Sequence, residues 1–200
     1  MTSRHVELIG KATLFQGYFR VDRYTLRHET FAGGMSEEIA REVFERGHAA
    51  AALPYDPVRD EIVLLEQFRV GALAAGWEPW LIEVVAGIVE DGETPEDVAR
   101  RETLEEAGLA AQTLEHAASI LVSPGGTSET LELFCARVDS TDAGGIFGLD
   151  HEAEDIRAFV LPGSEVAALL ASGKVKNATA LIALQWFALN RDRLRTAWGA

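Results

Sequence analysis

Hydrophobic and polar residues alternate over much of the first 46 residues of the chain. The alternation is strongest over residues 14–24 and 37–44, and a period of two predicts β-strands with one covered and one exposed face. Ala32-Gly33-Gly34 lies between these stretches and predicts a turn. The pattern therefore predicts a small antiparallel β appendage over residues 1–46.

Beyond this appendage, apolar residues gather into short runs that are typical of strands buried on both faces. Helices are expected between Thr94 and Gly108, over residues 164–171, and after Asn177. This alternation predicts an α/β domain over residues 47–200, with a mixed sheet covered by helices on both sides. The predicted strands cover residues 49–53, 62–66, 81–85, 119–122, 131–138 and 156–160, with a turn at residues 54–57 between the first two.

The first of these helices has well-defined ends. Thr94 is a suitable N-cap, Pro95 suits the first helical position, and Asp97 occupies the capping-box position three residues after the cap. Gly108 is expected to end the helix in a left-handed conformation.

Three glutamates, Glu102, Glu105 and Glu106, occupy the last turn of this helix. Spacings of three and four residues place their carboxylates on one side, where like charges repel by a few tenths of a kcal/mol per pair. The negative end of the helix dipole adds to the repulsion. A solvated acidic face is the alternative, but a cluster that violates two local preferences favours a site for hard divalent cations.

The charge of the whole chain bears on this site. Its 200 residues include 18 Lys and Arg against 32 Asp and Glu, which gives a formal net charge of −14. Such a surface repels nucleic-acid backbones and anionic membranes, so neither is expected as a partner. It also repels phosphorylated small molecules, unless bound cations reverse the charge locally.

Cys135 is the only cysteine, which excludes an intrachain disulfide and a four-cysteine zinc site. Its apolar neighbours predict a buried, unreactive thiol. Residues 1–13 contain no apolar run of signal-peptide length, and no apolar run in the chain is long enough to span a bilayer. A cytoplasmic location is expected.

The glutamate cluster belongs to a longer pattern with fixed spacing. Its positions are Gly87, Glu93, Arg101, Glu102, Glu105, Glu106, Gly108 and Leu109. This spacing resembles the signature box of the Nudix hydrolases, G-x5-E-x7-R-E-U-x-E-E-x-G-U. Thr103 departs from the pattern, which has an aliphatic residue there, and its methyl group is expected to pack in the same place.

The resemblance implies the Nudix fold, an α/β/α sandwich, and hydrolysis of a nucleoside diphosphate linked to another moiety. It also implies two or more Mg²⁺ ions, for which Mn²⁺ can substitute. The implied metal ligands are the backbone carbonyl of Ala86 and the side chains of Glu102, Glu105, Glu106 and Glu154. Gly87, Glu93 and Arg101 are implied as structural support, with the Glu93–Arg101 pair fixing the helix relative to its loop.

An acidic run at residues 150–155 follows several glycines and is expected to form a loop that closes over the substrate. The resemblance implies Glu152 as the general base. His151 is the rival base, because the unperturbed pKa of histidine lies nearer neutrality. A solvated acidic loop without a catalytic role is the alternative.

The likeness extends to the ADP-ribose pyrophosphatase subfamily through Pro124 in the segment 123–129, and through residues 145–149 and 177–186. Hydroxyl and carboxylate groups can hydrogen-bond ribose, guanidinium groups can hold phosphate or ribose oxygens, and aromatic rings can stack on adenine. An ordinary turn, surface arginines and core aromatics are the alternatives. The candidate substrate-binding residues are Tyr18, Phe19, Arg41, Arg46, Arg69, Ser123 and Glu129.

The resemblance favours ADP-ribose as the substrate, with AMP and ribose 5-phosphate as products. In similar enzymes the N-terminal strands exchange between two subunits, which implies a homodimer with composite sites. The alternatives are another nucleotide-sugar such as GDP-mannose, a non-catalytic nucleotide-sensing module, and an RNA-processing pyrophosphohydrolase. The complete set of box glutamates disfavours the sensing module, and the charge of −14 disfavours RNA.

Overall fold

The computed structural model describes residues 4–149 and 154–199, and the chain divides into two compact units. Unit 1 contains Met1–His48 together with Leu121–Thr130, and unit 2 contains Ala49–Ile120 together with Leu131–Ala200. The division predicted at residue 46 puts residues 121–130 in the main domain, whereas the structure groups them with the N-terminal strands.

Unit 1 is built on a three-stranded antiparallel sheet. Its strands are β1 (Val6–Gln16), β2 (Arg20–His28) and β3 (Ile39–Glu45), in the order β1-β2-β3. The alternating stretch over residues 14–24 therefore includes the end of β1 and the start of β2. The chain turns at Gly17, whose N–H donates to the Phe19 carbonyl at 2.8 Å.

A buried carboxylate that the sequence pattern does not reveal links the first two strands. Asp22 on β2 accepts hydrogen bonds from Thr13 Oγ1 at 2.8 Å and Arg20 Nε at 3.0 Å, and it pairs with Lys11 Nζ at 2.9 Å. Burial opposes ionisation of Asp22, but these donors outweigh it and lower the pKa of the carboxyl group. Asp22 therefore stays charged and joins β1 to β2.

Unit 2 is built on a mixed sheet of eight strands. These are β4 (Ala49–Asp56), β5 (Glu61–Phe68), β6 (Trp80–Glu83), β7 (Val85–Ile88), β8 (Thr113–Leu121), β9 (Thr130–Arg137), β10 (Gly145–Phe147) and β11 (Ile156–Pro162). Their order is β10-β11-β5-β4-β9-β8, with β6 paired to β5 and β7 paired to β4. Strands β4 and β9 are parallel, whereas β4 is antiparallel to β5 and β7.

Helices cover both faces of this sheet. They are α1 (Val70–Ala74), α2 (Pro95–Ala107), α3 (Val166–Ala171) and α4 (Ala178–Trp198). Successive side chains of a strand point to opposite faces. On β4, Ala50 and Ala52 pack in one apolar cluster with Val98 of α2, and Ala51 packs in another with Leu184 of α4. The predicted α/β/α sandwich is confirmed.

The turn predicted at residues 54–57 is wrong in position, because β4 continues to Asp56 and the chain turns at residues 57–60. Tyr55 is fully buried and packs edge-on against Phe187 of α4, with ring centroids 4.8 Å apart. This contact with a distant helix overrides the local turn preference.

Two further features are the burial of Cys135 and the apolar character of the helices. Cys135 is buried as predicted, and burial raises the pKa of its thiol. Within residues 4–149 and 154–199, no helix combines the length and the apolar character that a membrane crossing requires.

Candidate active site

Helix α2 begins and ends at the residues that the sequence predicts. Thr94 Oγ1 accepts the Asp97 N–H at 3.2 Å, and Asp97 Oδ2 accepts the Thr94 N–H at 3.0 Å, which completes a capping box. Gly108 ends the helix with a φ of 67°, in the left-handed region that favours glycine. The three glutamates therefore lie in the last turn, which contains no basic residue.

Gly87 on β7 lies directly beneath the first of these glutamates. A Cβ atom on Gly87 would lie 1.8 Å from Glu102 Oε1 and 2.3 Å from Glu102 Cδ. Only glycine allows this approach of a carboxylate to the strand backbone.

Glu106 is the most deeply buried of the three, with 3% of its surface exposed. Its Oε2 accepts the backbone N–H of Ala86 at 3.0 Å. Burial raises the pKa of Glu106 to about 8, the Ala86 hydrogen bond opposes the shift, and the charges of Glu102 and Glu154 add to it. Glu106 is thus a buried carboxyl group whose charged form the nearby charge of Arg69 stabilises only in part.

Arg101 donates hydrogen bonds to three carboxylates, those of Glu93, Glu102 and Glu105. Its Nε and Nη2 donate to the two oxygens of Glu93 at 3.0 and 3.2 Å, and its Nη1 donates to Glu102 at 2.7 Å and to Glu105 at 3.1 Å. Burial raises the pKa of Glu102 to about 6, and the charge of Arg101 offsets part of the shift. The loop residue Glu93 is therefore joined to the helix through one guanidinium group.

Thr103 fills the position where the box has an aliphatic residue. Its side chain is fully buried, and its Oγ1 donates to the Ala99 carbonyl one turn earlier at 2.6 Å. The hydroxyl group is satisfied within the helix, so the methyl group can pack against the sheet as expected.

The charge of Glu154 raises the pKa of both the partly buried Glu102 and the buried Glu106. The backbone N–H of Glu154 donates to the Leu149 carbonyl at 3.4 Å. Glu152 and its rival His151 lie outside the residues that the structure describes, so the assignment of the general base stays a prediction.

The donor set fits divalent cations in its chemistry. Carboxylate and carbonyl oxygens are the ligands that Mg²⁺ and Mn²⁺ take, and a cation can neutralise buried carboxylates whose pKa values are raised. In the part of the chain that is described, no three acidic, histidine or cysteine side chains converge as a metal centre. Glu102 and Glu105 instead accept hydrogen bonds from Arg101, so each would have to change partner in order to ligate a cation.

Arg69 lies beside this cluster and is held by a residue that the sequence analysis missed. Glu83, buried at the end of β6, accepts Arg69 Nη2 at 2.7 Å and Arg69 Nε at 3.1 Å. Burial opposes the charge of Arg69, but Glu83, and more weakly Glu106 and Glu154, raise the pKa of its guanidinium. The signal in the sequence was a carboxylate inside the apolar run 81–85.

Unit 1 brings together three of the predicted substrate-binding residues. Arg46 Nη1 lies 3.5 Å from Glu129 Oε1, and the Arg46 guanidinium lies 5.9 Å from the centre of the Phe19 ring. Phe19 packs edge-on against Phe44, with ring centroids 4.9 Å apart. These contacts form a cluster with one cation, one carboxylate and one partly exposed aromatic face.

The other predicted residues of unit 1 are more exposed. Tyr18 is 88% exposed and touches Phe19 edge-on. Ser123 begins a turn, and its carbonyl accepts the N–H groups of Gly126 and Thr127, both at 3.0 Å. Arg41 donates to the carbonyl of the adjacent Ala40 at 2.8 Å, so the structure does not place it in the Arg46–Glu129 cluster.

Comparisons with known proteins found matches over most of the chain. A family model described as NUDIX domain matches residues 45–182. An ADP-ribose pyrophosphatase of Escherichia coli (strain K12) is 50% identical over 193 residues, which are 96% of this chain and 92% of that protein. A GDP-mannose pyrophosphatase of Pectobacterium atrosepticum is 32% identical over an alignment 197 residues long that covers 93% of this chain and 98% of that protein.

A crystal structure of an ADP compounds hydrolase has a TM-score of 0.70 to this chain and 20% sequence identity. The likeness covers 100% of this chain and 98% of that one. At this level of identity it is evidence of a shared fold alone.

Proposed function

The chain belongs to the NUDIX domain family, and on this premise we propose that it hydrolyses the pyrophosphate bond of ADP-ribose to AMP and ribose 5-phosphate. The observation that carries the proposal is a pair of carboxylates held against β7, the buried Glu106 and the partly buried Glu102, with the charge of Arg69 acting on Glu106. The relative named for ADP-ribose is 50% identical and the one named for GDP-mannose is 32% identical, which favours ADP-ribose.

Divalent cations are part of the proposal. Glu102, Glu105, Glu106, Glu154 and the Ala86 carbonyl would hold two or more Mg²⁺ ions, for which Mn²⁺ can substitute. When bound, the cations would neutralise phosphate oxygens and lower the pKa of a water molecule. The raised pKa values of Glu102 and Glu106 support this assignment, because Arg101 and Arg69 offset only part of each shift and a bound cation would stabilise both carboxylates in their charged form.

The residues of the chain then have distinct roles in the proposed reaction. Arg69 binds diphosphate oxygens with its guanidinium, and Arg101 fixes the loop residue Glu93 to α2. Glu152 accepts the proton of the attacking water as the new oxygen–phosphorus bond forms. The bond from phosphorus to the bridging oxygen breaks, and the two phosphate monoesters leave separately.

We expect Glu152→Gln to lower kcat by about 10²–10⁴-fold, the range typical of a general base. Because glutamine cannot take the proton but has nearly the same shape, Mg²⁺ affinity should change little. His151→Ala, at the neighbouring residue, is the matched control and should retain most of the activity. A larger kcat loss in His151→Ala than in Glu152→Gln would transfer the role to the histidine.

Unit 1 is proposed to supply ribose and adenine contacts and to form a homodimer with exchanged N-terminal strands. The Arg46–Glu129 pair and the Phe19 ring offer the polar and aromatic groups that these contacts need. Several apolar side chains of β1 are exposed, and such a patch favours contact with another protein surface. They are Val6, Leu8, Leu14 and Phe15.

The test of the proposed function is hydrolysis of a panel of nucleotide-sugars with Mg²⁺. ADP-ribose should have the highest kcat/KM, and chromatography should identify AMP and ribose 5-phosphate as the products. GDP-mannose and capped RNA are the matched competitors in the panel. A higher kcat/KM for either of them, or no hydrolysis of ADP-ribose, would contradict the proposal.

A further inference from the structure

The guanidinium group of Arg69 is held by a clamp of two residues, in which Glu83 binds Arg69 and Asn177 binds Glu83. Glu83 accepts hydrogen bonds from Arg69 Nε at 3.1 Å and from Arg69 Nη2 at 2.7 Å, and 4% of the surface of Glu83 is exposed. Among the residues that the structure describes, Nη1 has no hydrogen-bond acceptor, so this group stays available for another partner. The backbone N–H of Arg69 donates to the Pro79 carbonyl at 2.8 Å, which fixes the main chain as well.

The carboxylate of Glu83 is itself held by the N-terminus of α4. Asn177 Nδ2 donates to Glu83 Oε1 at 3.0 Å, while Asn177 Oδ1 accepts the Ala180 N–H at 3.0 Å as the N-cap of the helix. One asparagine thus caps a 21-residue helix and orients a buried carboxylate. Serine could serve the first purpose equally well, whereas the second needs a donor at the position of the asparagine amide nitrogen, which the shorter serine side chain does not reach.

This clamp lies next to the acidic cluster, because Glu83 is three residues before Ala86, whose N–H donates to Glu106 Oε2 at 3.0 Å. In agreement with this, the charges of Glu106 and Glu154 act on the pKa of Arg69. A flexible arginine beside these carboxylates would be drawn to them, as Arg101 is drawn to Glu102 and Glu105. The hydrogen bonds to Glu83 instead keep the charge of Arg69 beside the cluster without occupying its oxygens.

We propose that Glu83 and Asn177 are positioning residues, which hold Arg69 with Nη1 free to bind a diphosphate oxygen of the substrate. The proposal rests on the proposed function for the identity of the substrate. Under this proposal, the hydrogen bonds from Asn177 to Glu83 and from Arg69 to Glu83 connect the start of α4 with substrate affinity. Glu83 then acts as the partner of Arg69 and not as a ligand of the cations.

The kinetic test is a double-mutant cycle. Glu83→Gln should raise KM for ADP-ribose about tenfold, the size of one charge-assisted hydrogen bond, with a smaller change in kcat. Asn177→Ser, which keeps the helix cap, should raise KM by about threefold, because one of the contacts that orient Glu83 is lost. In an Arg69→Ala background both substitutions should change KM less than about twofold, since residues that act through one partner are not additive.

Glu115→Gln is the matched control, because it changes the Glu of another Arg–Glu pair, which joins Glu115 of β8 to Arg193 of α4. Its KM should equal that of the unsubstituted protein. An unchanged KM in both clamp variants would overturn the proposal. So would an equal KM rise with and without Arg69, because that result would indicate a merely structural effect.

A second measurement is independent of the substrate. The Nε–H proton of Arg69, observed by nitrogen-edited NMR of the metal-free protein, should exchange slowly with water and should exchange faster in Asn177→Ser. Equal exchange in the two proteins would overturn the clamp. If the exchange differs but ADP-ribose is not hydrolysed by the unsubstituted protein, the proposed function fails while the clamp itself stands.

Discussion

Glu106→Gln is expected to lower kcat by about three orders of magnitude or more at saturating Mg²⁺, while the fold is retained. The carboxylate is buried and faces Glu102 and Glu154, so its charge is available to a cation and to little else. Loss of one ligand charge removes several kcal/mol of metal-derived stabilisation, and each ~1.4 kcal/mol is a factor of ten in rate. The amide oxygen of glutamine is expected to accept the Ala86 N–H in place of Glu106 Oε2, which would preserve the contact between α2 and β7.

The same substitution should change how the stability of the metal-free protein depends on pH. The pKa of Glu106 is 4.5 without the protein environment and about 8 in the folded state. Between these values the folded protein binds a proton that the unfolded chain has released, so its free energy of unfolding falls as the pH rises. The amide introduced by Glu106→Gln does not titrate, so the variant should lack this part of the decline.

Urea denaturation in the presence of EDTA, at several pH values across that window, measures the difference between the two proteins. Their free energies of unfolding should be most alike at the acidic end and should separate toward the alkaline end, with the variant more stable. Glu105→Gln is the control for charge removal on the same helix turn, because Glu105 is about one-third exposed. Near-normal turnover in Glu106→Gln would contradict the proposed metal role.

Gly87→Ala is expected to lower kcat/KM by about 10²-fold, the effect of an error of about 1 Å in the position of a catalytic group. The added methyl carbon would lie 1.8 Å from Glu102 Oε1, so the carboxylate must leave its place against β7. Glu102 is a proposed metal ligand, so apparent Mg²⁺ affinity should fall together with the rate. Steady-state kinetics over a range of Mg²⁺ concentrations measures both quantities.

Gly71→Ala is the matched control, because a Cβ atom at Gly71 meets no other atom within 4 Å. This variant should keep both the rate and the Mg²⁺ dependence. If Gly87→Ala does the same, the close approach of Glu102 to the strand is not needed for activity.

Much of the candidate site could be predicted from the sequence because its rules are local. The capping box of Thr94 and Asp97 and the left-handed Gly108 fix both ends of α2, and the helical repeat then places Glu102 and Glu106 on one side. The alternation of apolar residues likewise predicted strands and helices in an order that favours a covered mixed sheet. These features depend on residues within a few positions of one another.

The sequence did not show how differently the three glutamates are placed. Glu106 is almost completely buried, whereas Glu105 is about one-third exposed and pairs with Arg101. Spacing along a helix gives direction, but burial depends on the strand that packs against each side chain. The raised pKa of Glu106 is therefore a property of the packing of α2 on β7.

Partners that are distant in the chain were decided only by the tertiary structure. Glu83 and Asn177 are 94 residues apart, and Tyr55 is fixed in β4 by a helix whose sequence lies far downstream. By itself the sequence determined the ends of α2, the family pattern and the kind of chemistry, because these follow from short-range spacing. Burial, pKa values and the clamp on Arg69 required the folded chain, because each depends on which distant residues come into contact.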